Sequence, residues 1–320
     1  MADNALEAAA EQLKKATTAA IFCHIRPDGD ALGSGMALCL AMRAAGKKAY
    51  LICEEKAPEK FLFLPALSEI AVGMPEADYD LLVAVDCAEE GRLGAFAEAY
   101  SRFKGVTVNI DHHISNTNYA MYNCVRECSA TCELLPDVFD AAGFEITKDI
   151  ADLLMLGLIT DSGSFCHKDV TEKTFLSAAR LVKAGADVNT ISYNMFSHQK
   201  KCRALLYARA MKSLRFALSD ALAIICVTSD DILKTGAEQS MTEGFVDFPL
   251  SIDGVEVAAS LMEVKRGQFK ISLRSKGTVN VNKVASVFGG GGHVLASGCM
   301  IFGEYEEVVE RLTYAVYQYM

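Results

Sequence analysis

Val106-Thr-Val-Asn-Ile110-Asp111-His112-His113 is the stretch on which the fold turns. Val106, Val108 and Ile110 alternate as a buried strand does, and the strand breaks into a polar loop at a carboxylate and two imidazoles. The whole chain of 320 residues holds only six histidines, so two in succession at a strand end call for an explanation. A second strand–loop junction, His24-Ile-Arg-Pro-Asp28-Gly-Asp30, again joins imidazole to carboxylate. Asp86 and Asp161 each close an apolar run of their own. In an open parallel sheet, ligands collect beyond the carboxyl ends of the strands. His24, Asp86 and Asp111-His112 are therefore expected to converge on one crevice.

Moving outward, Ala19–Cys23, Ala49–Cys53, Leu81–Val85 and Val106–Ile110 read as buried strands. Helical patterns lie at about 31–45, 90–102, 129–142, 148–160 and 171–184, with Thr171-Glu-Lys as a helix start. This alternation predicts an α/β fold with a mostly parallel sheet flanked by helices, over residues 1–186. A polar, helix-compatible stretch at 187–209 reads as a linker. Residues 210–320 read as a smaller α/β domain, with strands near 214–227, 255–264, 268–274 and 298–302. Helices at 281–288 and 304–318 complete it.

Composition narrows the function classes. With 51% hydrophobic and 22% charged residues the chain reads as globular and soluble, with no apolar run long enough to span a membrane and no leader pattern at its start. The net charge of -10 argues against wrapping long duplex nucleic acid, while a short anionic substrate is compatible with local cations. Eleven scattered cysteines with no C-x-x-C pair suit a reducing, cytoplasmic setting as small buried hydrophobes. Cys124, Cys128 and Cys132 recur at four-residue spacing, but Cys124 ends a strand, which disfavours a thiolate metal site.

Asp28, Asp30, Asp86 and Asp161 in one pocket would concentrate negative charge. Two carboxylates at 4 Å repel by about 4 kcal/mol at an effective dielectric of 20. Two divalent ions sharing a carboxylate would balance the set. Carboxylate with imidazole and no thiolate favours Mn2+, with Mg2+, Co2+, Fe2+ or Zn2+ compatible. Taken singly, an aspartate after a strand is more often a helix cap or turn residue, and a lone histidine is more often structural. The combination is what outweighs these readings.

His24-x-x-Pro-Asp28-Gly-Asp30-Ala-x-Gly33-Ser34, Val-Ala-Val-Asp86, Asn-Ile-Asp111-His112-His113 and Gly-Leu-Ile-Thr-Asp161-Ser-Gly-Ser-Phe together resemble the four motifs of the DHH phosphoesterase superfamily. Ser272-Leu-Arg274-Ser and Gly289-Gly290-Gly291-Gly292-His293-x-x-Ala-Ser-Gly298 resemble its DHH-associated domain. The resemblance spans essentially the whole chain. It implies one metal on His24, Asp28 and Asp86, and a second on Asp30, Asp86, His112 and Asp161. Asp111 would orient an imidazole, His113 would face the phosphate, and catalysis would be attack of a metal-activated water on phosphorus. Arg274, Gly290, Gly291, Gly292 and His293 would bind substrate, the arginine as a phosphate clamp and the glycines through backbone N–H groups. The glycine run follows a helix and lacks Gly-Lys-Ser/Thr, so it is no triphosphate-binding loop, and Gly33-x-Gly35 fails the dinucleotide fingerprint at Leu38.

Within the superfamily, chain length and the segment from Glu243 to Ala258 look most like the bifunctional oligoribonucleases and 3′,5′-bisphosphate nucleotide (pAp) phosphatases, the nanoRNase group. Short RNA or a small nucleotide is then the expected substrate, with cyclic di-AMP or pApA cleavage as the alternative. The glycine-rich His293 motif disfavours the family II pyrophosphatases. A non-catalytic nucleotide sensor is a different class of reading, disfavoured because no expected ligand is missing. With catalytic ions in one domain and anion-binding groups in the other, the cleft between them is expected to select short substrates and to close about the linker. Phe245 and Phe248 are read first as packing residues and second as base-stacking groups. An apolar helical surface leaves room for a homodimer.

Overall fold

Residues 2–320 are described by the computed structural model, and they divide into two compact units, 2–198 and 199–320. The division falls inside the polar 187–209 stretch. That stretch folds as helices Val188–Ser192 and Lys201–Lys212, separated by a wider turn at Tyr193–Ser197.

The first unit is built on a six-stranded sheet: β1 (Thr18–Phe22), β2 (Lys48–Cys53), β3 (Ala71–Val72), β4 (Leu81–Val85), β5 (Val106–Asp111) and β6 (Tyr122–Val125). The spatial order is β3-β2-β1-β4-β5-β6, and every neighbouring pair is parallel. From β1 the chain builds toward one edge, and from β4 toward the other. The β1–β4 boundary is thus the topological switch point, where the crossover connections leave a crevice at the carboxyl ends. His24 lies two residues beyond β1 and Asp86 directly beyond β4, so the two chain segments flank that crevice.

Alternation along the strands separates two cores. Ala19 and Ile21 pack with Leu6 and Leu13 of helix Ala2–Lys15 and with helices Gly29–Ala44, Thr131–Ala142 and Lys148–Asp161. Ala20 and Phe22 point the other way, onto Leu93 and Tyr100. The helix expected over 90–102 is interrupted there. A tight 3-10 stretch, Glu90–Phe96, turns at Gly94 with φ of 62° and only then enters helix Ala97–Ser101. Strands β3 and β6 escaped the sequence reading because neither is long enough to show a period.

Two helices carry the aspartates that matter below, and they approach at small residues. A Cβ on Gly33 would overlap the Leu153 carbonyl oxygen, and one on Gly157 would sit 2.6 Å from Asp30 Oδ1. Replacing Gly33 by Ala improves helix propensity by about 1 kcal/mol. The carbonyl it would strike cannot withdraw without parting the helices, and such overpacking costs roughly 1–3 kcal/mol. Gly33→Ala is therefore expected to lower the urea midpoint, and an unchanged or raised midpoint would contradict the close contact.

The second unit holds a mixed sheet of β7 (Arg215–Ala217), β8 (Leu222–Val227), β9 (Val257–Lys265), β10 (Gln268–Ser275), β11 (Gly291–Gly292) and β12 (Ala296–Phe302). Its order is β11-β12-β10-β9-β8-β7, antiparallel except for the β8–β9 pair. Helices Val281–Ser286 and Tyr305–Tyr317 fill one core with Leu222, Ile271 and Leu273. Leu206, Ala210 and Phe245 fill a second core with Ile225 and Val227. Helix Ser229–Thr235, opened by a capping box between Thr228 and Asp231, was not anticipated.

Candidate metal centre

Six potential ligands of the first unit come together at the switch point. His24, Asp28 and Asp86 form one group, and Asp30, His112 and Asp161 form another, with ligand atoms in each within 4.8 Å of one another. Asp86 touches both. Its Oδ2 lies 3.5 Å from His24 Nε2, and its Oδ1 lies 3.5 Å from His112 Nε2. His24 Nε2 is 3.6 Å from Asp28 Oδ2, and His112 Nε2 is 3.3 Å from Asp161 Oδ2.

The fold prepares each of these groups. His24 Nδ1 donates to the Ile25 carbonyl (2.8 Å) and His112 Nδ1 to the Cys128 carbonyl (2.9 Å). With one proton held at Nδ1, each ring turns Nε2 into the pocket, the nitrogen through which a metal would be bound. Asp28 caps helix Gly29–Ala44 through Oδ1, which accepts from the amides of Asp30 and Ala31 at 3.0 Å, and leaves Oδ2 toward His24. The bland reading of a helix cap and the ligand reading hold for the same side chain. Asp30 is fully buried and accepts from the Thr131 and Cys132 amides (2.6 and 2.9 Å) at the start of helix Thr131–Ala142. Asp161 ends helix Lys148–Asp161, and His167 Nδ1 bonds its carbonyl at 2.8 Å.

Asp86 itself has a left-handed backbone, with φ of 50°. An aspartate tolerates this region better than most residues, at a cost on the order of 1 kcal/mol. The turn lets the chain leave β4 abruptly and present both carboxylate oxygens to the crevice. Thr131 Oγ1 donates to Asp86 Oδ1 at 3.2 Å.

The Asp111 carboxylate bonds the ring of His113, not that of His112. Its Oδ1 accepts from His113 Nδ1 at 2.7 Å, and its Oδ2 accepts from Asn116 Nδ2 at 2.6 Å. Asp111 is buried and His113 is a third exposed, so the carboxylate anchors a ring that reaches the solvent side of the site. Thr131, Asn116 and His167 went unnoticed in the sequence. Asn116, three residues past the histidine pair, carried the only local hint.

Electrostatics show a site short of positive charge. Burial by itself would lower the His24 pKa, yet hydrogen bonding to Asp28 and Asp86 outweighs it and raises the value to about 10. For His112 burial is likewise outweighed, chiefly by Asp30, and its pKa rises to about 9. Burial, with Asp86 nearby, lifts Asp161 to about 6. Burial and the Asp86 charge push Asp30 well above the carboxylate range. Asp111 moves down despite burial, because His113 and Asn116 bond its charged form. Protons are favoured here because several buried carboxylates crowd together. Two imidazole nitrogens with fixed tautomers and four carboxylates make a hard, mixed donor set of the kind that suits divalent ions.

In the second unit, Arg274 lies on β10 beside Lys270 and Ser272 in a polar cavity of about 360 Å³. Its Nε is 3.8 Å from Asp247 Oδ1. The Gly290 amide donates to the Ala285 carbonyl at 2.9 Å and so closes the preceding helix. Gly291 and Gly292 pair with β12 as the short β11 and are exposed, as is His293. The run is therefore part of a sheet edge, and its Gly290 amide is already engaged. Phe245 is 1% exposed and packs edge-on against Tyr207, which makes it a core residue, while Phe248 is 53% exposed.

Residues 18–158 match the DHH family, N-terminal domain, and residues 221–320 match the DHHA1 domain. A Thermus thermophilus protein named bifunctional oligoribonuclease and PAP phosphatase NrnA is 31% identical over 92% of this chain and 88% of its own length. A Streptococcus mutans protein carrying that name with the word "probable" is 31% identical over 94% of this chain and 96% of its own. The crystal structure of an exopolyphosphatase-related protein from Bacteroides fragilis superposes with a TM-score of 0.87 at 25% identity, covering 99% of this chain and 96% of that one. The chain belongs to the DHH family of phosphoesterases.

Proposed function

We propose that the chain is a metal-dependent phosphoesterase that hydrolyses short oligoribonucleotides and 3′,5′-bisphosphate nucleotides. One observation carries the reading: Asp86 offers one oxygen to the His24–Asp28 group and the other to the His112–Asp161 group. That is how a carboxylate bridges two cations. The names of the two relatives at 31% identity supply the substrate class.

His24, Asp28 and Asp86 would hold one divalent ion, and Asp30, Asp86, His112 and Asp161 the other. When bound, such a pair lowers the pKa of water and neutralises phosphoryl charge, with Mn2+ the best match to the donors. The protein's own part is positional. Asp111 accepts from His113 Nδ1 and so fixes the ring; carrying a second proton, that imidazole would donate through Nε2 to a non-bridging phosphate oxygen. Arg274, with its two-pronged guanidinium, would fix a second phosphate oxygen, with Gly291, Gly292 and His293 binding nearby anionic groups. The metal ligands belong to the 1–186 domain and the substrate groups to the 210–320 domain.

Among the described residues no helix is long and apolar enough to cross a membrane. The eleven free cysteines fit a reducing compartment, and we place the protein in the cytoplasm.

The test is a single panel with Mn2+: pAp, RNAs of two to five nucleotides labelled at either end, cyclic di-AMP, pApA and pyrophosphate. Release of mononucleotide from dinucleotide RNA, together with adenosine monophosphate from pAp, is the expected result. Preference for cyclic di-AMP or pApA would move the chain to the alternative reading. Tight nucleotide binding without turnover under any divalent metal would make it a sensor.

A further inference from the structure

Cys23 and Cys53 stand outside the catalytic set, yet their sulfurs are 3.8 Å apart. Register brings them together. Phe22 of β1 is level with Ile52 of β2, so Cys23 and Cys53 follow side by side on neighbouring parallel strands. Adjacent strands lie about 4.8 Å apart, which is inside the Cα separation that a disulfide spans. Cys23 and Cys53 are both largely buried, and both residues line a cavity of about 480 Å³ together with His24, Arg26, Lys56 and Phe96, large enough to admit a small solute beside them. The next residue after Cys23 is His24, and the next after Cys53 is Glu54, whose Oε1 accepts from the Ala95 amide at 2.7 Å. The thiols thus sit where a short movement is passed to the metal centre.

We propose that Cys23 and Cys53 are a redox-active dithiol which hydrogen peroxide closes to a disulfide, and that closure loosens the His24 end of the metal centre. One sulfur attacks a peroxide oxygen; the O–O bond breaks, water leaves with the thiol proton, and a sulfenic acid forms. The second sulfur attacks the first, the S–O bond breaks, and another water leaves. The two sulfurs give up two electrons, and hydrogen peroxide takes them up as it becomes two waters. Closure brings the sulfurs from 3.8 Å to about 2.05 Å. Because Cys23 is bonded to His24, that displacement draws the imidazole away from Asp28 and Asp86.

The consequence for metal rests on reading His24 as a ligand, so two readouts are needed. Full-length protein treated with hydrogen peroxide is mapped for the cross-linked peptide pair, and Mn2+ binding is then titrated by electron paramagnetic resonance. The expected result is a Cys23–Cys53 linkage that dithiothreitol reverses, with Mn2+ affinity about tenfold weaker while it is closed. Cys53→Ala and, separately, Cys23→Ala should bind Mn2+ as the reduced parent does and keep that affinity after peroxide. Absence of the linked peptides overturns the proposal, as does undiminished Mn2+ binding by the linked protein or equal loss in the Cys53→Ala variant. Failure of the reduced protein to take up Mn2+ overturns the metal-centre reading instead, and the peptide map, read without metal, keeps the two failures distinct.

Discussion

Asp86→Asn is expected to reduce Mn2+-dependent turnover of dinucleotide RNA by on the order of 10⁴-fold, about 5–6 kcal/mol of transition-state stabilisation. Asparagine keeps the shape, tolerates the left-handed backbone at φ 50° and can still accept from Thr131 Oγ1, so the fold should survive. What it removes is the single negative group common to both ligand clusters. Neither cluster can make up the loss, since backbone amides fix Asp28 and Asp30 in place and each would serve only its own ion. Arg274→Ala is the useful comparison. Deleting one donor to developing phosphoryl charge typically costs about 10²–10³-fold. Equal residual rates in the two variants, or two Mn2+ ions still bound tightly by Asp86→Asn, would sink the bridging assignment.

The second large effect concerns pH. In the metal-free protein His24, with a pKa of about 10, and His112, with a pKa of about 9, both hold protons at neutral pH. A cation held by these imidazoles, as proposed, would have to expel those protons to reach the Nε2 lone pairs. Each proton released makes apparent affinity climb about tenfold per pH unit, so Mn2+ binding should strengthen by roughly ten- to a hundredfold per unit between pH 6.5 and 9. Stability of the metal-free protein should move the opposite way. A histidine whose folded value lies above its unfolded 6.5 contributes stability that is complete below pH 6.5 and lost as pH rises through its folded value. Asp161, raised from 3.8 to about 6, has already lost its contribution in that window. Thermal melts in chelator should therefore fall from pH 6.5 to 9, while melts in excess Mn2+ should hold or rise. A chelated protein that becomes more stable over this range would contradict the charge balance derived for the site.

The cluster of carboxylates and imidazoles is legible in the sequence because its members stand at strand and helix ends, where an apolar run stops and a carboxylate or imidazole begins. His24, Asp86 and Asp111 announce themselves in this way, and the parallel sheet follows from the same runs. The supports were not legible. Asp30 is held by the Thr131 and Cys132 amides and His112 by the Cys128 carbonyl, all backbone groups more than a dozen residues away, which no side-chain pattern records. The partner of Asp111 could be narrowed to an adjacent imidazole, but only geometry selects His113. Gly94 interrupts an otherwise helical pattern because its positive φ overrides propensity. The glycine run suggests an anion-binding amide at Gly290, but that N–H donates to the Ala285 carbonyl, a backbone bond the sequence does not record.

The left-handed backbone at Asp86 bears on how such a protein would respond to selection or engineering. Glycine adopts that conformation without steric penalty, and Asp86→Gly would also relieve the crowding of buried carboxylates. A screen scored on heat tolerance alone would favour the exchange, and would so discard the carboxylate proposed to serve both ions. Thermal robustness and the proposed activity would pull in opposite directions at this one position.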